Sequence, residues 1–369
     1  MANAIGLVNL HSDVSLGGLT ERRPVASVSF LGRYGIIDFV LSNLSNSGID
    51  TVGVLIKEKP RSLFKHIGGG NAWNFNSKTG GISLLYDEKY AGDDMYNHDI
   101  NNLIENIAFL DKAKEEYVVV APAHIITTLN YADVLEAHEN SDADVTMVYA
   151  KIKDANENFI GGDALTIKDK TVTAIEKNKG NRKNRDVSLE TYVMSKKTLL
   201  KLIKKATKTS VFYNLGDTLA YMADELKIAA YQFKGFVRDV NSYAAYFKTS
   251  MDFLDVDTYT SVFKTNWPIY TNTNDTPPAK YKKNASVNSS FVANGCIIDG
   301  TVENSILGRN VVVGKGAVVK DCILFSGSKV DAGKKLDYVI LDKEARVKNV
   351  EELTGKADAP VYVKEGDVA

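Results

Sequence analysis

Over the first two-thirds of the chain, short β-branched runs alternate with stretches of helical spacing. Thr51–Ile56 (TVGVLI) and 117–121 (YVVVA) are continuous apolar runs of buried-strand length, and Val145–Ile152 (VTMVYAKI) alternates like a strand. Between them, 101–112 and 131–140 place apolar residues at helical spacing. The stretch 195–208 (SKKTLLKLIKKATK) sets Leu199, Leu200 and Ile203 on one face and lysines on the other. Strands alternating with helices predict an α/β fold whose mostly parallel, doubly wound sheet is covered on both sides. Ligands of such sheets sit beyond the carboxyl ends of the strands.

The pattern changes near residue 255. TYTSVFKTNWPIYTNTNDTPPAKY is rich in Thr and Asn and holds three of the seven prolines, which reads as a connector. Beyond it the apolar residues repeat every six positions: Leu307, Val313, Val319 and Phe325, with a second register at Ile306, Val312, Val318, Leu324 and Val330. Gly308 and Gly314 follow the first two residues of the first register. Period six with small turn residues predicts a left-handed parallel β-helix with three short strands per coil, three to four coils between 285 and about 350. A set of short antiparallel strands is the alternative. The expected organisation is an α/β domain over 1–254, a linker over 255–284 and a β-helix over 285–369.

A length of 369 residues fits two domains. The formal charge of −1 supplies no field to attract nucleic acid or an anionic membrane. No apolar run reaches the roughly 20 residues of a membrane helix, and MANAIGLVNL lacks the basic start of a signal peptide. Cys296 and Cys322 have neither metal-site spacing nor the look of a disulfide framework and read as buried thiols. A cytoplasmic location is expected.

Three tracts carry a family resemblance: TERRPVASVSFLGRYGIIDFVLSN from Thr20, RDVNSYAAYFKTSMDFL over 238–254 and WPIYTNTNDTPPAKY over 267–281. In order and spacing they resemble the bacterial ADP-glucose pyrophosphorylases (glucose-1-phosphate adenylyltransferases), which also close in a hexapeptide β-helix. The resemblance implies a Rossmann-like nucleotidyltransferase domain followed by that β-helix. Scaffold residues such as Gly32, Ile36, Ile37, Asp38, Phe39, Ser42, Asn43 and Asn46 are present.

The charged residues of that family are not. Adenylyl transfer needs a glycine-rich turn, cations and Mg²⁺ to cradle phosphate charge. Where the family has glycines this chain has His11 and Asp13, and where it has arginines, Ser12 and Ser15. Val25 stands at the place of a lysine, and Ala123 at that of a metal-binding aspartate, leaving Asp239 without its companion. The resemblance implies that Glu176 and Lys177 contact sugar and sugar phosphate, although the proline after them is Asn178. Lys177 reads equally as a surface lysine. Arg22 and Arg23 read either as a solvated pair or as contacts to an anionic effector. His124 reads as a core or supporting histidine, and Gly68–Gly70 as a flexible turn or a loop near nucleotide.

Together these point to a regulatory, catalytically impaired subunit that modulates a catalytic paralogue in glycogen synthesis. It would hold no metal or cofactor of its own, with Mg²⁺ and ATP bound by the catalytic partner, and would form a hetero- or homo-oligomer, a heterotetramer foremost. A sugar phosphate is the expected effector. A self-sufficient nucleotidyltransferase with an atypical site is the alternative. Acyl transfer on the β-helix is a third reading, which the positions of the histidines oppose: none follows His138.

Overall fold

Nine strands form the central sheet, in the order Gly81–Tyr86, Thr51–Ile56, Ala4–Asn9, Tyr117–Pro122, Arg185–Ser195, Val145–Ile152, Ile228–Gln232, Thr171–Lys177, Asp163–Lys168. The computed structural model describes residues 2–75, 80–93, 95–210 and 214–369. The first four strands of the sheet pair in parallel. Arg185–Ser195 then runs antiparallel to both neighbours, and Asp163–Lys168 and Thr171–Lys177 form an antiparallel hairpin. The sheet is therefore mixed, an arrangement common in large α/β sheets.

The helices follow the expected spacing with two adjustments. Residues 101–112 form two helices, Asp99–Glu105 and Ile107–Lys112, rather than one. In Lys196–Thr209, N-capped by the Ser195 hydroxyl, the buried face is Leu199, Leu202, Ile203 and Ala206, while Leu200 is exposed. A step of about 100° per residue carries Leu200 off a face defined by i, i+3, i+4 and i+7.

The chain forms two compact units that interleave in sequence: 1–13, 37–239 and 265–270 in the first, and 14–36, 240–264 and 271–369 in the second. The compact units thus divide the chain at other points than 254 and 284. The segment read as a linker contains the helix Val256–Val262, whose cap is the Asp255 carboxylate accepting from the Thr258 amide at 2.9 Å. Its Thr and Asn content concealed a short capped helix. Residues 267–270 belong to the first unit, clamped by polar side chains of the helix Ile37–Asn46. Asn43 Oδ1 accepts from Trp267 Nε1 at 2.8 Å, Ser42 Oγ from the Tyr270 amide at 2.8 Å, and Asn46 Nδ2 donates to the Pro268 carbonyl at 2.9 Å.

In the second unit, three parallel five-stranded sheets wind as a left-handed β-helix from Lys280–Tyr281 to Val361–Val363. There are five coils, more than the three to four expected, because strands Lys280–Tyr281 and Val361–Val363 extend the stack beyond the tract from 285 to about 350. Val302 lies opposite Val319 and Val319 opposite Leu336, so the middle coils hold 17 residues and the inward register slips by one there. The core accordingly runs Leu307, Val313, Val319, Leu324, Val330. Phe325 faces elsewhere, edge-on to Tyr246 and under the Arg23 guanidinium. Cys296 and Cys322 are buried free thiols of this core.

Candidate functional site

Strand Tyr117–Pro122 delivers Ala123 and His124 at its carboxyl end, in the centre of the first unit. The short strand Val237–Asp239 pairs antiparallel with Ile125–Thr127, which places Asp239 opposite Ile125. His124 is buried, with Nε2 3.6 Å from Glu190 Oε1 and 3.9 Å from Asp239 Oδ1. Burial alone would lower the His124 pKa; the Glu190 carboxylate, with Asp239 behind it, outweighs burial and raises it. The same pairing holds Glu190 below the usual carboxylate range against its own desolvation.

Glu190 arrives from the strand Arg185–Ser195, where the register against Val145–Ile152 slips between Ser188 and Thr191. Beyond it lies Lys177, whose ammonium is 2.7 Å from Asp163 Oδ1 across the hairpin, with Asp217 adding negative charge nearby. Desolvation raises the Asp163 pKa even so. Glu176 does not join Lys177: its exposed carboxylate is taken by Arg185, which also donates to Asn181 Oδ1 at 3.0 Å. Successive strand residues point to opposite faces, so the pair expected to grip one ligand diverges. Asn178 is buried and donates to the carbonyls of Ala155 and Phe159 at 2.8 and 3.0 Å.

Asp239 and Ala123 together offer Mg²⁺ one carboxylate. The neighbouring donor is an imidazole nitrogen with a raised pKa, unsuited to a hard oxygen-seeking cation. Among the described residues no three His, Cys, Asp or Glu side chains are grouped to hold a metal ion.

His11 and Ser12, also in the first unit, follow the strand Ala4–Asn9 and are half-buried. Burial, then Lys57 and His98, push the His11 pKa down to about 3, so the ring is neutral. Asp13 Oδ1 lies 2.7 Å from the Lys57 ammonium. Ser15 and Val25 belong to the second unit. There the Ser15 hydroxyl accepts from the Gly17 amide, and Val25 is buried in a short 3₁₀ turn.

The arginine pair separates as well. Arg22 is exposed, whereas Arg23 is buried and donates to Asp342 Oδ2 at 2.5 Å and to Glu365 Oε2 at 3.2 Å. The Tyr362 hydroxyl lies 2.6 Å from the same Asp342 oxygen. These side chains line a polar pocket within the second unit, where Lys364 is paired in turn with Glu21. Arg23 is therefore not a solvated surface residue. No sequence pattern marks Glu190, Asp163 or Asp217 as neighbours of Lys177, since they lie on separate strands and a helix.

Residues 15–256 match the Nucleotidyl transferase family and 277–358 the GlmU-like C-terminal hexapeptide family, so the fold and site define a nucleotidyltransferase with a hexapeptide-repeat domain. Similar proteins include the glucose-1-phosphate adenylyltransferases of Clostridium perfringens (strain SM101 / Type A; 34% identity, 86% of this chain, 82% of the relative) and Clostridium botulinum (strain Alaska E43 / Type E3; 36%, 84% and 81%). That of Clostridioides difficile (strain 630) is 35% identical over 84% of this chain and 81% of its own length. The chain belongs to the glucose-1-phosphate adenylyltransferase family. Among the described residues no helix is long and apolar enough to cross a membrane.

Proposed function

We propose that this chain is a regulatory, catalytically impaired subunit of a glucose-1-phosphate adenylyltransferase, acting in the cytoplasm on a catalytic paralogue in glycogen synthesis. One observation carries the reading: the strand end that should present a metal-binding carboxylate carries Ala123, and the adjacent His124 is already engaged by Glu190 and Asp239. In phosphoryl transfer a single well-placed cation is worth ~10³–10⁵ in rate, and several are replaced here. ATP and Mg²⁺ would bind to the partner, whose conformations this chain biases through subunit contacts in a hetero-oligomer.

An anionic effector, a sugar phosphate foremost, would meet Arg22 and Arg23. It would have to displace Glu365 from Arg23. The self-sufficient alternative draws support from the relatives' names and from the retained Lys177. Two measurements decide. The purified chain, given ATP, Mg²⁺ and glucose 1-phosphate, should turn over below ~0.1 s⁻¹, about a hundredth of an ordinary enzyme. Mixed with a catalytic relative, it should co-purify and change that enzyme's KM, kcat or effector response. Turnover by the chain alone, or failure both to associate and to alter the partner's kinetics, refutes the reading.

A further inference from the structure

The β-helix is open at its first coil. Strands Lys280–Tyr281, Ser286–Asn288 and Phe291–Val292 each stand at the edge of one of its three sheets, paired on one side only. The amides of Lys280 and Lys282 donate to the next coil, at the Cys296 and Ile298 carbonyls, so the peptide groups of Tyr281 between them point away from the stack. The same alternation turns out Val287, which follows Ser286 bonded to Gly300, and Val292, between Phe291 bonded to Ser305 and Ala293 bonded to Leu307. The side chains of Tyr281, Val287 and Val292 hold the interior register, opposite the fully buried Ile298, Val302 and Leu307. Tyr281 is nevertheless 54% exposed.

Three unpaired strand edges, one on each side of a coil, are matched all at once only by another coil of the same kind. A second copy of this chain fits poorly. Residues 280–294 carry Lys280, Lys282 and Lys283, all exposed, and no Asp or Glu. Among the described residues Lys282 alone of the three has a carboxylate partner, Asp299 of the next coil at 3.7 Å. Across a two-fold axis the same residues meet, so two copies joined at this end would set three lysines against three. The last coil of a second copy is no substitute, because residues 367–369 run along Arg346–Val347. There the Arg346 amide donates to the Asp367 carbonyl and the Ala369 amide to the Arg346 carbonyl, which takes up one of the three edges.

We propose that the first coil is a docking end for the terminal coil of a different hexapeptide-repeat chain, one whose outer positions carry carboxylates. The lysines then serve twice, attracting that partner and keeping identical copies apart. That the partner is a catalytic relative rests on the regulatory reading above; the open end and its charge do not.

The test has two arms. In the first, the parent chain is mixed with Lys280→Glu/Lys283→Glu. Each carries Glu303→Cys, one coil behind the docking end, for a donor or acceptor fluorophore; Cys296 and Cys322 are buried and stay unlabelled. Energy transfer at low salt should show the mixed pair associating at least ~10-fold more tightly than the parent with itself, and the gain should vanish at about 1 M salt. Tyr281→Ser should weaken the mixed pair at least ~10-fold, since a central aromatic anchor is lost. In the second arm, the catalytic relative that co-purifies with the parent should bind the charge-reversed chain at least ~10-fold more weakly, with the Tm of that chain unchanged. The proposal is overturned if the mixed pair associates no better than the parent with itself, or if charge reversal leaves the relative's binding as it was. If no catalytic relative binds the parent, the regulatory reading falls and the mixed pair alone decides the docking end.

Discussion

Arg23 Nη2 and Asp342 Oδ2 lie 2.5 Å apart, although 319 residues separate them along the chain and both side chains are buried. Removing Asp342 leaves the buried Arg23 guanidinium with only the partly exposed Glu365 carboxylate as a partner, and removing Arg23 leaves Asp342 buried without a cation. Asp342→Ala should therefore lower stability by about 3–5 kcal/mol. The Tyr362 hydroxyl would lose its contact as well. Replacing both residues by apolar side chains of similar size should cost much less than the single change, as urea denaturation of the three variants would reveal.

The clamp on residues 267–270 gives a second expectation. Asn43 is 1% exposed, accepts a part-buried hydrogen bond from Trp267 and donates a buried one to the Thr127 carbonyl at 2.9 Å. Asn43→Ala would leave a part-buried donor and a buried acceptor unmatched, at roughly 2–4 kcal/mol. Trp267→Phe should cost less through this bond alone, and the two losses should be non-additive in a double-mutant cycle.

Acid sensitivity should come partly from His11. Its folded pKa is about 3 against an ordinary value of 6.5. The unfolded chain therefore binds a proton below pH 6.5 that the fold refuses. That stability is fully present above pH 6.5 and is lost progressively as the pH falls from 6.5 towards 3. At pH 5 the loss amounts to about 1–2 kcal/mol. His11→Asn should flatten this part of the stability profile; an unchanged acid limb would contradict the assignment.

Restoring one carboxylate should not restore chemistry. Ala123→Asp puts a carboxyl at a buried position next in the chain to His124, the residue near Glu190 and Asp239. Turnover with ATP, Mg²⁺ and glucose 1-phosphate should stay at background, because His11, Ser12 and Asp13 still stand where the family has its glycine-rich turn. A burst of pyrophosphate release from this variant would show that the metal position alone was limiting.

Gly314 tests the β-helix. A Cβ there would meet the Ala332 amide nitrogen at 2.6 Å and the Asp331 carbonyl carbon at 2.8 Å, both backbone atoms of the next coil. Gly314→Ala should destabilise the chain by about 1–3 kcal/mol, read from thermal unfolding.

The alternating elements and the six-residue period were legible in the sequence because each follows from how a side chain meets a core. The surviving scaffold residues Ser42, Asn43 and Asn46 prove to be a hydrogen-bonding face that holds 267–270, a role that any chain keeping this fold must fill. The slip to a 17-residue coil was not legible, since Ile306, Leu307, Leu324 and Phe325 are all apolar and only geometry tells which point inward. Nor could sequence distinguish Arg22 from Arg23, where one step in the chain separates solvent from a buried ion pair. Glu190 stayed hidden because its neighbours come from other strands.

The backbone passes between the two units five times before it ends. During synthesis, residues 14–36 emerge early but complete their packing only when the last two coils, with Asp342 and Tyr362, have left the ribosome. A nascent chain would thus carry Leu16, Leu19 and Phe30 uncovered through most of translation, a window in which holding chaperones or a waiting companion chain could bind them.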